Sequence, residues 1–268
     1  NGIAQTYAAN GHAVTLVDMS QQGLDRGMAT IRKSLDRFVK KEKITQELSD
    51  EIMGRVAGST DLATAVADVD MVVEAVFEKE EAKKSVFVEL DKHAPANAIL
   101  ATNTSSISIT AIASVTSRPE SVVGMHFMNP VPLMKLVELI KGEKTSAEVV
   151  ARTKEIAESL GKTVGVAEDY AGFVSNRVLM PMINEAAFAL YEGVATRDDI
   201  DTIMKLGMNH PMGPLALADF IGIDVCVNIL DYMHQQFGDP KFRCAPNMRR
   251  MVEAGKLGRK SGEGFYAY

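Results

Sequence analysis

Two kinds of segment alternate through the first 168 residues of this chain, and only one kind continues after them. Up to Glu168, short apolar runs rich in β-branched residues are separated by stretches in which apolar residues recur with helical spacing. Such runs are typical of strands buried on both faces of a parallel sheet. From about Tyr170 every stretch has helical spacing. The pattern predicts an α/β domain with a doubly wound parallel sheet over residues 1–168, followed by an all-α domain over residues 169–268.

The same spacing predicts the individual elements. Strands are expected at residues 12–18, 69–76, 98–104, 121–127, 135–142 and 162–168. Helices are expected over residues 3–9, 21–49, 79–92, 107–115, 146–160, 173–193, 197–207, 214–238 and 247–258.

Composition excludes several classes of protein. A net charge of −6 gives no electrostatic basis for binding nucleic acid. No apolar run approaches the roughly 18 residues that a membrane-spanning helix needs. The two cysteines, Cys226 and Cys244, have no metal-ligand spacing, so we expect no metal site and a reducing, cytoplasmic environment.

The segment MHFMNPVPLMKLVE, residues 125–138, carries the leading candidates for acid–base chemistry. Histidine is the side chain whose ordinary pKa lies closest to neutrality. Glu138 is an acid inside the apolar run LVELI, where a carboxylate needs a partner. Two prolines prevent one continuous helix, so His126 and Glu138 can meet across a turn, as a general base and the group that orients it. A lone histidine is more often a packed or surface residue, and that alternative stays open here.

Two polar features follow predicted strands. Asp18 ends the first strand, where an acid can accept hydrogen bonds from a ribose of a dinucleotide, although acids at strand ends are also ordinary capping groups. The sequence NTSS, residues 103–106, places hydroxyl and amide groups at the carboxyl end of another strand. Ligands of open α/β sheets bind at that edge, but Ser105 or Ser106 can instead cap the following helix.

Two helical segments carry further candidates. In RKSLDRFVKKEK, residues 32–43, the basic side chains fall on one side of a helix beside Ser34, namely Lys33, Arg37, Lys40 and Lys41. This face suits a phosphorylated ligand, or it is a solvated surface paired with Asp36 and Glu42. Asn176 opens the first helix of the second domain, where its amide either contacts a ligand or lies on the surface.

These residues together resemble those of the L-3-hydroxyacyl-CoA dehydrogenase family, and most closely its short bacterial members that act on 3-hydroxybutyryl-CoA. The resemblance covers essentially the whole chain. The matching segments are VVEAVFE (72–78), ATNTSSISI (101–109), GMHFMNPVPLMKLVE (124–138), DYAGFVSNRVLMP (169–181), MGPLALADFIGID (212–224) and LGRKSGEGFYAY (257–268).

The resemblance implies a Rossmann-like first domain, NAD as cofactor and a role for each candidate. His126 would be the base for the substrate 3-hydroxyl, and Glu138 would orient it and stabilise its protonated form. Ser105 and Asn176 would position the substrate oxygens. The residues implied at the cofactor are Asp18, Glu78, Lys83, Asn103 and Asn129. Ser34 and Lys41 match positions that hold coenzyme A. The helical domain would form a homodimer, and both fatty-acid and butanoate metabolism use this reaction.

The beginning of the chain departs from the family pattern. Family members start with a strand and a G-x-G-x-x-G loop that leads into I-A-Q, whereas this sequence starts at N-G-I-A-Q. We expect that strand and loop to precede the sequence; a real truncation would weaken NAD binding sharply. Two other functions remain open, namely a dehydrogenase of free hydroxy acids or sugar acids and a non-catalytic relative with the same scaffold.

Overall fold

The computed structural model describes residues 1–268, which form two compact units, Asn1–Asp169 and Tyr170–Tyr268. The strands all lie in the first unit: β1 (Val14–Val17), β2 (Val56–Ser59), β3 (Met71–Glu74), β4 (Ile99–Thr102), β5 (Val122–Phe127), β6 (Leu136–Lys141) and β7 (Thr163–Glu168). Its helices are α1 (Gly2–Ala9), α2 (Gln21–Lys40), α3 (Gln46–Gly54), α4 (Leu62–Ala65), α5 (Glu80–His93), α6 (Ile109–Ala113) and α7 (Ala147–Ser159). The second unit contains α8 (Ser175–Tyr191), α9 (Arg197–Gly207), α10 (Pro214–Ile221), α11 (Ile223–Phe237) and α12 (Pro246–Glu253).

The strands pair in two groups. β1 pairs with β2, and the other five form a sheet in the order β3-β4-β5-β6-β7. All neighbours are parallel except β5 and β6, which are antiparallel. β6 reverses direction because residues 128–135 connect it to β5, and a loop of that length cannot make the crossover that parallel strands need. The predicted fold class is therefore confirmed, with one antiparallel pair that the sequence pattern did not predict.

Several element boundaries differ from the prediction. The expected helix over residues 21–49 is two helices, because Glu42 adopts a positive φ and the Thr45 side chain caps α3 by accepting from the Leu48 N–H. The expected helix over residues 214–238 breaks at Gly222, where φ is +107°. β2 was missed because its sequence, VAGS, is short and lacks a continuous apolar run.

The central strands determine where buried polar residues can lie. Every residue of β4 and of β5 is buried, and both strands pack against α7 and neighbouring strands in one apolar cluster. A polar side chain on β5 must therefore find its partner inside the protein. The second unit has an apolar core of its own, built from α8 to α12. None of the helices is both long enough and apolar enough to cross a lipid bilayer.

Candidate active site

His126 and Glu138 are in contact in the first unit. The His126 Nδ1 lies 3.1 Å from the Glu138 Oε2, and both side chains are buried. The two residues are direct partners in the antiparallel pairing of β5 and β6, so their side chains project from the same face of the sheet. Because Nδ1 faces the carboxylate, the neutral tautomer that this contact favours has its proton on Nδ1 and Nε2 as its basic nitrogen.

The turn after β4 lies beside this pair. The Asn103 Oδ1 accepts a hydrogen bond from the Phe127 N–H at 2.8 Å, and the Asn103 N–H donates to the Glu74 carbonyl at 2.7 Å. Asn103 thus joins the end of β4 to the residue that follows His126. This contact fixes the backbone from which the half-buried Ser105 side chain extends.

Glu78 holds the same turn from the other side. Its Oε1 accepts from the Ser105 N–H at 2.8 Å, from the N–H and hydroxyl of Ser106 at 3.0 Å each, and from the Thr104 hydroxyl at 2.6 Å. Burial alone would raise the pKa of Glu78, but the hydrogen bonds and the nearby Lys83 ammonium outweigh it and hold the pKa below its usual value. An ionised Glu78 therefore acts as a cap for residues 104–106.

Lys83 and Asn129 occupy different environments. The Lys83 ammonium is buried and donates to both oxygens of Glu74, at 2.9 and 3.2 Å, while lying 3.4 Å from the Glu78 Oε2. Asn129 is exposed in the loop after β5, where its peptide bond to Pro130 is cis. Lys83 is thus part of a buried ionic cluster, and Asn129 faces solvent.

Asp18 directly follows β1, at the carboxyl end of the β1–β2 pair. Hydrogen bonds from the Ser20 N–H and hydroxyl hold the pKa of Asp18 below its usual value, so the group is ionised near neutrality. A Cβ at Gly23 would lie 2.2 Å from the Asp18 Oδ1, so the carboxylate would have to turn away from its present position if this residue carried a side chain. A half-buried, ionised acid at this edge fits a nicotinamide dinucleotide, since it can accept hydrogen bonds from ribose hydroxyls.

Ser34 and the basic residues of the segment 32–43 lie on α2 or directly after it, far from His126 in sequence. Ser34 is half-buried, whereas Lys33, Arg37 and Lys40 are exposed, and Lys41 follows the last residue of the helix. None of these four cations has a carboxylate within 4.0 Å, so Asp36 and Glu42 are not their ion-pair partners. The face retains its positive charge.

Asn176 belongs to the second unit. It is buried at the second position of α8, and its N–H donates to the Gly172 carbonyl at 3.1 Å. Gly172 has a φ of +77°, and a side chain there would lie 2.6 Å from the Met233 Sδ, so the turn before α8 requires glycine. The position of Asn176 at the start of α8 depends on this turn.

Sequence reasoning missed two groups of polar residues near the candidates. Glu74 and Thr102 bond to each other at 2.6 Å, at the ends of adjacent strands. The Lys162 Nζ donates to the carbonyls of Val131 and Met134 at 2.7 and 2.8 Å, tying down the loop between His126 and Glu138. Burial lowers the pKa of Lys162. An acid inside the apolar run MVVEAV was the one sequence signal that could have pointed to Glu74.

The whole chain matches one protein family. Residues 1–170 match the NAD binding domain of 3-hydroxyacyl-CoA dehydrogenase, and residues 172–268 match its C-terminal domain. A probable 3-hydroxybutyryl-CoA dehydrogenase of Deinococcus radiodurans is 53% identical over all of this chain and 95% of its own length. The 3-hydroxybutyryl-CoA dehydrogenase of Bradyrhizobium diazoefficiens is 49% identical over all of this chain and 91% of its own length.

Solved structures agree with these similarities. The crystal structure of (S)-3-hydroxybutyryl-CoA dehydrogenase from Ralstonia eutropha superposes with a TM-score of 0.96 at 47% identity, covering 100% of this chain and 94% of that one. The chain therefore belongs to the 3-hydroxyacyl-CoA dehydrogenase family. It is an oxidoreductase of the NAD-dependent class, as the resemblance of its motifs predicted.

Proposed function

We propose that this protein interconverts (S)-3-hydroxybutyryl-CoA and acetoacetyl-CoA, with His126 as the base and Glu138 as its orienting partner. The observation that carries the proposal is the buried contact of 3.1 Å between the His126 Nδ1 and the Glu138 Oε2, in a chain about half identical to 3-hydroxybutyryl-CoA dehydrogenases. We further propose that residues 1–168 bind the dinucleotide, that residues 169–268 serve substrate binding and dimerisation, and that the protein works in the cytoplasm.

The proposed chemistry divides among the residues of the site. Oxidation of a secondary alcohol removes a hydroxyl proton and a hydride, and NAD, when bound, is the hydride acceptor. The His126 Nε2 takes the hydroxyl proton and returns it in the reverse direction. Glu138 balances the positive charge that then develops on the imidazole. The Ser105 hydroxyl and the Asn176 amide are proposed to hold the substrate oxygen in a reactive position.

Binding of the two ligands is assigned to separate residues. Asp18 is proposed to accept hydrogen bonds from the adenosine ribose of NAD, with Glu78, Lys83, Asn103 and Asn129 as the other cofactor residues. Ser34 and Lys41 are proposed to bind coenzyme A, supported by the unpaired cations of α2. An exposed ammonium beside a phosphate supplies affinity by charge rather than by a fixed geometry.

The base is tested by His126→Gln in the full chain. With acetoacetyl-CoA and NADH, we expect turnover to fall by roughly 10²–10⁴-fold, because general acid–base catalysis supplies about that factor. His93→Gln, a change to an exposed histidine on α5, is the matched control and should leave turnover unchanged. Near-normal turnover of the His126 variant would remove the assignment. If the unaltered chain binds NADH but converts no acyl-CoA substrate, the non-catalytic alternative is favoured.

A further inference from the structure

A buried carboxylate that the proposed mechanism does not use lies at the end of β3. Glu74 is 4% exposed and pairs with Thr102 of β4 in the sheet. Its Oε1 accepts from the Val76 N–H at 2.6 Å and from the Lys83 ammonium at 2.9 Å, and its Oε2 accepts from the Thr102 hydroxyl at 2.6 Å. Burying a carboxylate is unfavourable unless its oxygens are satisfied in this way. A group held by so many donors has a defined position.

Lys83 extends this cluster toward the surface. Its side chain is 1% exposed, and it lies within 3.4 Å of the Glu78 Oε2 as well as bonding to Glu74. It also donates to the Val76 carbonyl at 3.4 Å. One ammonium thus connects the end of β3 to the acid four positions later. The segment between Glu74 and Glu78 is held at both ends by the same cation.

Glu78 completes the connection to the substrate-positioning turn. Its Oε2 faces Lys83, and its Oε1 accepts from the Ser105 N–H at 2.8 Å. A continuous series of charged and hydrogen-bonded contacts therefore runs from the Glu74 carboxylate through Lys83 and Glu78 to the backbone of Ser105. Each link is an ion pair or a hydrogen bond to an ionised group, which are the stronger kinds of polar contact.

We propose that Glu74 is a positioning residue for the dehydrogenase reaction, which acts through Lys83 and Glu78 to fix the turn that carries Ser105. The inference rests on the proposed role of Ser105. Glutamine has almost the same shape but cannot replace Glu74, because the Lys83 ammonium donates to both carboxylate oxygens and an amide presents only one acceptor oxygen. At least one donor would then meet the amide NH₂, and the buried Lys83 would lose its nearest counter-charge.

The test is a double-mutant cycle between Glu74→Gln and Ser105→Ala, assayed with acetoacetyl-CoA and NADH. We expect Glu74→Gln alone to lower kcat by about ten- to a hundredfold, since small displacements of a positioning group have effects of that size. In the Ser105→Ala background the same change should lower kcat by less than about twofold, because the hydroxyl to be positioned is already gone. A purely structural role would cause the same proportional loss in both backgrounds.

A matched control comes from a second acid–cation pair of this unit, between the half-buried Asp91 and the buried Arg118. Asp91 accepts from Arg118 Nε at 3.2 Å and from the Ser117 N–H at 2.7 Å, outside the residues around His126. Asp91→Asn should lower thermal stability but leave kcat unchanged. Its effect on kcat should be the same whether residue 105 is serine or alanine. If Glu74→Gln does not fold, Thr102→Val removes the hydroxyl that donates to Glu74 at 2.6 Å and accepts from the Thr104 N–H at 3.3 Å. It should lower kcat by about threefold, and this loss should also shrink in the Ser105→Ala background.

The outcomes separate this inference from the function on which it rests. If the unaltered enzyme is active, two results overturn the inference alone. One is a folded Glu74→Gln variant with normal kcat, and the other is an equal proportional loss of kcat from Glu74→Gln in both Ser105 backgrounds. If Ser105→Ala has no effect in an active enzyme, the proposed role of Ser105 fails and the inference fails with it. An inactive unaltered enzyme that binds NADH overturns the proposed function.

Discussion

At the scale of single residues, the proposed site depends on pairs of buried polar groups whose partners come from other strands or helices. His126 and Glu138 are separated by twelve positions but face each other because β5 and β6 are antiparallel. A buried imidazole beside a buried carboxylate favours one tautomer and one ring orientation. Both properties serve a base that must take a proton through Nε2.

Glu138→Gln tests the partner of this pair. The amide keeps the shape of the side chain but loses the charge that balances a protonated imidazole, and its NH₂, when turned toward Nδ1, favours the wrong imidazole tautomer. We expect kcat to fall by roughly 10²-fold while the fold is kept. Steady-state rates measured across pH, with circular dichroism as the check on folding, give the result. Glu168→Gln, an exposed acid of β7, is the control. An unchanged pH–rate profile in the Glu138 variant would contradict the dyad.

At the scale of elements, α2 shows a clear separation between its two faces. Leu24, Ile31 and Leu35 are buried. Lys33, Arg37 and Lys40 are exposed and have no carboxylate within 4.0 Å, whereas Arg32 pairs with Asp50. Exposed cations without partners increase the positive potential at this face and favour a phosphorylated ligand. The buried face of α2 therefore packs against the rest of the unit, and its exposed face is the one proposed to bind coenzyme A.

Lys41→Ala tests this recognition. We expect the KM for acetoacetyl-CoA to rise by roughly fivefold, because one exposed charge contact contributes at most about 1 kcal/mol, while kcat stays the same. Initial rates at several substrate concentrations and two salt concentrations give the result. The difference in KM between the variant and the unaltered enzyme should be smaller at high salt. Lys92→Ala on α5 removes the same charge elsewhere and should leave KM unchanged. An unchanged KM in the Lys41 variant would contradict coenzyme A recognition at this helix.

At the scale of the whole molecule, association between copies of the chain depends on exposed apolar surface. The second unit has large apolar side chains more than half exposed on and around α9, including Ile203, Leu206 and Met208. Clusters of this kind are typical of protein–protein contacts. They support the proposal that this unit forms a homodimer.

Leu206→Glu tests the homodimer. Leu206 is 80% exposed, so the change should not disturb the core of the unit, but a charge in an apolar interface should prevent association. Size-exclusion chromatography with light scattering should give the mass of a dimer for the unaltered chain and of one chain for the variant. Val166→Glu, at an exposed apolar position of β7, should remain dimeric. A monomeric unaltered chain would contradict the proposal.

Local patterns were sufficient for the order of most elements. The apolar runs around Val73, Ala101 and Met125 predicted their strands, because strands buried on both faces need continuous apolar sequence. The same logic placed Asp18 and Asn103 at strand ends. VAGS carried no such signal, so β2 was missed, and the breaks at Glu42 and Gly222 depend on backbone conformations that spacing alone does not reveal.

The contacts of the site follow from pairing between distant segments. The sequence showed that His126 and Glu138 could meet, but only the reversal of β6 made them direct partners in adjacent strands. The burial of Lys83 between Glu74 and Glu78 could not be read from α5, because a lysine on a polar helix has the same local pattern whether it is solvated or paired. Local periodicity reports which face a residue occupies, whereas strand direction and charge pairing depend on free energies that arise only when separate segments pack together.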